Sequence, residues 1–301
     1  MNENTATALP PGFVRLSGSV AEVEDKLGPL AGLVGTWHGS NGWNMIAVPS
    51  QSGTVAGFTL LIQNYSEVIT FTPIGAPVPN RGGLDEQFIT GLTYELTVTD
   101  NATEGILHIE NGMWLYMGNI QPQPDGPVSN DAPLPIQYSI ARQSSIPHGD
   151  VVIALGNGVT SSGKPVIPDI NALPPDIGHP DNFGYLDPYK FTKFPQFSAR
   201  NPNLMLQEAI KNQHIGNVVT INVDTANKGG AIVNIPFIDR HVNPTRFFST
   251  FWIEDVLTDN LSFKQLQYSQ QADLNFLPKF NEPGKGDILW PHVNVNTLKK
   301  Q

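Results

Sequence analysis

Apolar and polar residues alternate along most of this chain. In the segment Leu92–Val98, every second residue is Leu, Tyr, Leu or Val, and the residues between them are Thr, Glu and Thr. Successive side chains of a β-strand point to opposite faces, so a period of two residues predicts a strand with one buried face.

Segments rich in β-branched and aromatic residues recur from residue 44 to the C-terminus, separated by polar or Gly- and Pro-containing breaks. They lie at Asn44–Val48, Gly57–Tyr65, Glu67–Thr72, Leu92–Thr99, Gly105–Tyr116, Gln137–Ser144, Val151–Leu155, Val218–Val223, Ala231–Ile235, Arg246–Val256, Leu261–Ala272 and Ile288–Leu298. Lys228-Gly229-Gly230 and Asp259-Asn260 are typical of hairpin turns. Consecutive hairpins favour an all-β fold, an antiparallel up-and-down barrel around an apolar cavity, with a β-sandwich as the alternative.

Two short helices and one long insertion interrupt the strands. Ser19 and Glu22 form a capping-box pattern that predicts a helix at Val20–Leu27, and Asn201-Pro202 predicts a second helix over residues 204–212. Residues 158–200 are rich in Pro and Gly but carry aromatic side chains, which pure linkers lack. We therefore expect one domain over residues 1–301, with an N-terminal arm and helix at 1–29 and a loop plus helix at 158–212 that covers the barrel.

Composition excludes several functions. The 301 residues hold 17 Lys and Arg against 27 Asp and Glu, a net charge of −10 without basic runs, so nucleic acid is not an expected partner. The absence of cysteine excludes disulfides, thiolate metal sites and covalently attached haem. No run of 18 apolar residues and no signal-peptide pattern occurs, so we expect a cytoplasmic protein without a membrane span.

Histidine is the first candidate for chemistry, and His292 stands out among the seven. It follows Pro291 in a final strand, where alternation places it on one face with Asn294 and Asn296. A neutral imidazole on a cavity wall can ligate haem iron, or it can simply hydrogen-bond a neighbour. The alternation does not say which face points inward.

His148 and Arg81 are the candidate catalytic residues. His148 lies between Pro147 and Gly149, whose backbone restrictions can aim a side chain, although a simple turn residue fits equally. Arg81 lies in the turn Asn80–Gly83 and could meet a ligand carboxylate or propionate.

Several motifs together carry a family resemblance. They are Leu33-Val34-Gly35-Thr36-Trp37-His38-Gly39, Pro73–Gly82, Ser145–Gly149, Phe251–Glu254, Leu266–Gln270 and Trp290–Val293. The chain resembles the nitrobindin-like haem proteins and the haem-binding, peroxidase-like proteins of the fatty-acid-binding-protein-like and lipocalin-like barrel group. The resemblance covers most of the chain, but residues 120–210 have no counterpart in compact nitrobindins.

That resemblance implies heme b as cofactor, with His292 as its metal ligand and Trp37 and Trp290 in the cofactor-binding motifs. It places His148 and Arg81 on the distal side. It implies action on peroxide, nitric oxide or peroxynitrite, and it leaves open whether the protein is an enzyme.

The residues alone are also compatible with two other functions. One is a metal-free carrier of a small hydrophobic molecule, lined by aromatic residues such as Trp43, Trp114 and Tyr268. The other is a cofactor-free cavity enzyme with His148 or Glu254 as base. The expected partner is thus a small hydrophobic ligand or haem, and a homodimer is left open.

Overall fold

The computed structural model describes residues 26–50, 57–74, 78–80, 87–118, 120, 136–175, 177, 183–259 and 262–301. Within these ranges the strands are β1 Gly35–Pro49, β2 Phe58–Pro73, β3 Val78–Asn80, β4 Gln87–Asp100, β5 Ile106–Tyr116, β6 Ile140–Ile146, β7 Asp150–Ser162, β8 His214–Asp224, β9 Ala231–Asn234, β10 Asn243–Leu257, β11 Phe263–Pro278 and β12 Asp287–Lys300. The helices are α1 Asp187–Phe191, α2 Leu204–Ile210, α3 Pro236–Asp239 and two 3₁₀-helices, Gly28–Leu33 and Lys279–Asn281.

Ten of these strands form a closed antiparallel barrel. Its order around the ring is β1, β2, β4, β5, β6, β7, β8, β10, β11, β12 and back to β1. The short strands β3 and β9 lie outside the ring, paired with β4 and β7. Since each barrel strand pairs with its neighbours in chain order, the predicted up-and-down barrel is confirmed.

The two-residue period also holds in the structure. In β4 the residues Leu92, Tyr94, Leu96 and Val98 are buried, and those between them are exposed. The prediction of separate strands at Gly57–Tyr65 and Glu67–Thr72 is wrong, because the ladder between β2 and β4 continues through Ser66, opposite Thr99.

The first 3₁₀-helix contributes to the core at the end of the barrel where β1 begins. Leu30 and Leu33 are fully buried in a cluster with Trp37, Trp114 and Ile253. This cluster occupies the barrel interior at that end and leaves the opposite end for a cavity.

Residues 163–175, 177 and 183–213 pack against the outside of the barrel wall. Trp43 stacks on Phe197, with 5.0 Å between ring centroids. Tyr185 and Leu206 are fully buried in the same cluster as Val293. The predicted second helix is confirmed as α2, two residues shorter at its C-terminus. The capping residues of the first predicted helix, Ser19 and Glu22, lie outside the described residues.

No helix in the described ranges is long and apolar enough to cross a membrane.

Candidate functional site

A cavity of about 360 Å³ lies inside the barrel, at the end opposite the first 3₁₀-helix. Its apolar wall consists of Ile46, Val48, Leu61, Leu96, Val98, Leu107, Ile146, Val152, Ile232, Pro244, Phe247, Ala272 and Leu274. Its polar wall consists of Asn44, Gln63, Tyr65, His108, Glu110, His148, Asp150, Tyr268, Gln270, His292 and Asn294. The size and the mixed lining are typical of a small-molecule site.

A second recess, of about 520 Å³, lies on the outer surface beside α2. Its walls include Phe197, Leu204, Met205 and Thr297, and Glu208 is the one ionisable residue among them. The interior cavity is the better candidate because it brings together several ionisable side chains and a closed apolar wall.

His292 lies on the cavity wall, so β12 turns this face inward. Its Nε2 lies 2.8 Å from Oδ1 of Asn44, a residue of β1. The same Oδ1 accepts a second hydrogen bond from Nδ2 of Asn294, at 2.9 Å. Burial, followed by the nearby His108 and His148, lowers the pKa of His292 to about 3, so the ring is neutral at physiological pH.

The proton of the His292 ring is placed by a chain of hydrogen bonds. The Asp100 carboxylate, held by backbone N–H groups in the turn after β4, only accepts, and it accepts from Nε2 of Gln63 at 3.1 Å. The Gln63 carbonyl oxygen accepts from Nδ2 of Asn44 at 3.0 Å. Asn44 Oδ1 must then accept as well, so His292 Nε2 donates and Nδ1 keeps the lone pair.

A buried ion pair joins Glu110, on the polar wall, to Arg142, which lies outside the cavity lining. Nη2 of Arg142 donates to Oε1 of Glu110 at 2.8 Å, and the Tyr94 hydroxyl donates to the same oxygen. Burial alone would raise the pKa of Glu110, but Arg142, with help from His108 and Tyr94, holds it well below its usual range. Glu110 is therefore a fixed negative charge beside the cavity, and Arg142 is its counter-ion.

Two tyrosines and a second carboxyl group form another hydrogen-bonded cluster inside the barrel. The Tyr268 hydroxyl donates to Oε2 of Glu67 at 2.7 Å, so Tyr65 donates its own proton to Tyr268, also at 2.7 Å. Asn296 donates to the same Glu67 oxygen. Burial, only partly opposed by these hydrogen bonds, raises the pKa of Glu67 to about 7. Glu67 and Glu110 thus hold opposite protonation preferences inside one barrel.

Two glycines of β1 make room for this group. A Cβ atom on Gly42 would overlap the Tyr65 ring, and one on Gly39 would lie within 2.7 Å of Asn296 Nδ2. The ladder between β1 and β2 shifts register between these glycines. The local irregularity lets both polar side chains enter the barrel.

His148, the predicted catalytic residue, lies in the turn between β6 and β7 and lines the cavity. Its ring centroid is 5.6 Å from that of His108. Burial first, and then His108, lowers the pKa of His148. The neighbouring Asp150 has a raised pKa, mainly because of burial. The lowered pKa disfavours a positive charge on His148, and Asp150 is an acid. Neither residue therefore supplies a fixed positive charge for an anionic ligand.

The other predicted residues lie elsewhere. Trp37 is fully buried at the far end of the barrel, where Nε1 donates to the Leu33 carbonyl at 2.7 Å. Trp290 packs between Phe58 and Phe276 and is not part of the cavity wall. Arg81 lies outside the described residues.

Glu254, the alternative base, faces the outer side of the wall. It alternates with Ile253, which packs into the barrel, and its Oε2 accepts from Gln265 Nε2 at 2.6 Å. Burial raises the pKa of Glu254 to about 7, yet the residue has no place in the cavity lining. Its buried position on the outer side separates it from any ligand in the cavity.

Haem ligation by His292 can be tested against this geometry. An axial imidazole must direct a lone pair at the iron. The Nε2 atom of His292 instead carries the proton given to Asn44, which is itself fixed by Gln63 and Asn294. The residues as placed do not fit a haem bound through Nε2. Among the described residues, no three His, Asp or Glu side chains form a group that could hold a metal ion.

Sequence reasoning missed Asn44, Gln63 and Asp100, whose contacts connect strands far apart in the chain. Glu67 and Glu110 occur singly in different strands, so nothing in the sequence connects them. The alternation in β4 and β12 does indicate that every second side chain of each strand faces the barrel interior. The register that brings the inward side chains of different strands together cannot be read from one sequence.

The sequence matches no protein-family model and no curated protein. Among solved structures, the crystal structure of Rv2717c from M. tuberculosis is similar to 94% of this chain and 99% of its own, with 16% identity and a TM-score of 0.42. A likeness at this level supports no statement about ligand or activity.

Proposed function

We propose that this protein binds a small, mostly apolar molecule with one polar end inside its barrel. The observation that supports the proposal is the cavity of about 360 Å³, with an aliphatic wall facing a cluster of hydrogen-bonded polar side chains. Small-molecule sites commonly combine a preformed apolar enclosure of roughly 300–1,000 Å³ with a few placed polar groups.

The polar side of the cavity is organised before any ligand arrives. Asn44 is hydrogen-bonded to both His292 and Asn294. Tyr65 is hydrogen-bonded to Tyr268, which in turn donates to Glu67. Side chains fixed in this way lose little further conformational entropy when a ligand binds. The arrangement therefore favours binding of a defined polar group at one end of an otherwise apolar molecule.

Filling the cavity is expected to abolish binding. Ala272 lines the cavity and is the ladder partner of His292, on the neighbouring strand β11. The substitution Ala272→Phe therefore projects a phenyl ring into the cavity. We expect its affinity for decanol, measured by calorimetry, to fall by at least about tenfold. Val159→Phe, at an exposed position of β7, is the matched control and keeps wild-type affinity. Equal decanol affinity in both variants, with both folded, would contradict binding in the barrel.

Haem remains the second candidate, because a neutral imidazole does lie in the cavity. Bound haem would supply redox or gas-binding chemistry, and His292 would have to hold it. Because Nε2 donates to Asn44, iron could be ligated only through Nδ1, and we expect hemin to give no Soret band that depends on His292 while the ring keeps this orientation. A band that forms with the wild-type protein and disappears in His292→Ala would establish the haem prediction instead.

A further inference from the structure

On the side of His292 the cavity wall carries both acceptors and donors, and the hydrogen bond to Asn44 makes the His292 ring an acceptor. The donors are the amide groups of Asn294 and Gln270, of which Gln270 uses its oxygen to accept from Arg142. The neutral His292 ring donates its only N–H hydrogen to Asn44. Its Nδ1 atom has no hydrogen-bond partner among the described residues. The two amide groups of Asn44 and Asn294 already contact each other. The Tyr65 hydroxyl is already engaged with the Tyr268 hydroxyl and the Val295 carbonyl, which leaves its oxygen as an acceptor.

The charges beside the cavity also favour an uncharged ligand. No Lys or Arg occurs among the described residues that line it. The guanidinium of Arg142, which is hydrogen-bonded to two of the lining residues, is buried and donates to Glu110, Ser144 and Gln270. Because Arg142 and Glu110 neutralise each other, no Lys or Arg remains among the described lining residues to balance the charge of an anionic ligand, and burying an unpaired carboxylate is costly.

We propose that the ligand is an uncharged molecule whose polar end carries a hydroxyl or amide N–H, and that this group donates its hydrogen to Nδ1 of His292. Asn44, Gln63 and Asp100 are the positioning residues that make Nδ1 the acceptor. A free carboxylic acid of the same length is discriminated against. This inference rests on the proposed function and adds the chemical class of the ligand.

Three probes of equal chain length test the class: decanol, methyl decanoate and decanoate, titrated by calorimetry at a pH where the acid is ionised. Decanol should bind about tenfold more tightly than the ester, the factor expected for one neutral hydrogen bond, and decanoate should bind most weakly. Binding of all three with equal affinity, or a preference for decanoate, would overturn the ligand class and leave cavity binding intact. Failure of all three would remove both proposals.

The positioning role has its own readout. Nitrogen-15 NMR of histidine-labelled protein should show His292 as the Nε2–H tautomer, and finding the Nδ1–H tautomer in the wild-type protein would overturn the inference. In Asn44→Leu the single tautomer should give way to a mixture, and the tenfold preference for decanol over the ester should shrink to about twofold or less. Asn111→Leu, an exposed strand position, is the matched control and should preserve both the tautomer and the preference.

Discussion

Arg142→Met is expected to lower the free energy of unfolding by about 4 kcal/mol, because it leaves the Glu110 carboxylate buried without its counter-ion. Both side chains are almost fully enclosed, at 2% and 4% exposure. The guanidinium also lies over the Phe247 ring, 4.9 Å from its centroid, so its removal takes packing as well as charge. Urea unfolding of the two proteins, with their slopes compared, measures the difference.

Two controls separate charge from packing. In the double variant Arg142→Met/Glu110→Gln the unpaired charge is gone, so most of the lost stability should return. Lys211→Ala breaks an ion pair with Glu208 that is more than half exposed, and it should cost less than about 0.5 kcal/mol. A single Arg142→Met variant as stable as the wild type would show that Glu110 is not held as an anion.

Trp290→Ala is expected to cost a similar amount, about 4 kcal/mol, since it empties the space between Phe58, Phe276 and Tyr185. The indole Nε1 also donates to the Phe276 carbonyl at 3.0 Å, and that bond is lost. Thermal or urea unfolding measures the effect.

The same variant distinguishes a core residue from a cofactor residue. Trp290→Phe keeps most of the ring volume and should recover more than half of the lost stability. If Trp290→Ala instead unfolded like the wild type but bound decanol or hemin differently, Trp290 would belong to the ligand site and not to the core.

Local alternation predicts most of the strands, although not β3, and the consecutive hairpins favour the observed barrel over the β-sandwich that was the alternative. Leu92–Val98 shows why: one buried row and one exposed row need no information from the rest of the chain. The helix α2 was likewise predicted from Asn201-Pro202 and one apolar stripe. The strand break at Ser66 was wrong because a single polar residue between apolar runs does not end a ladder.

The site was less accessible to sequence reasoning. His292 was identified as the residue of interest, but its inward orientation follows only from the ladders that close β12 against β1 and β11. Its partner Asn44 is 248 positions away, and Gln63 and Asp100 come from two further strands. Trp37 and Trp290 are conspicuous in the motifs, yet large aromatic residues in strands commonly fill cores, as both do here.

The packing of residues 163–175, 177 and 183–213 against the wall has a thermodynamic consequence. The backbone that presents Asn44 and His292 to the cavity also presents Trp43 and Val293 to that segment, one residue apart. If a molecule in the cavity immobilises Asn44 and His292 and thereby stabilises the packing of Trp43 and Val293, the two equilibria are linked. Reciprocity then requires that loosening the packing of Trp43 and Val293 weakens binding in the cavity by the same free energy.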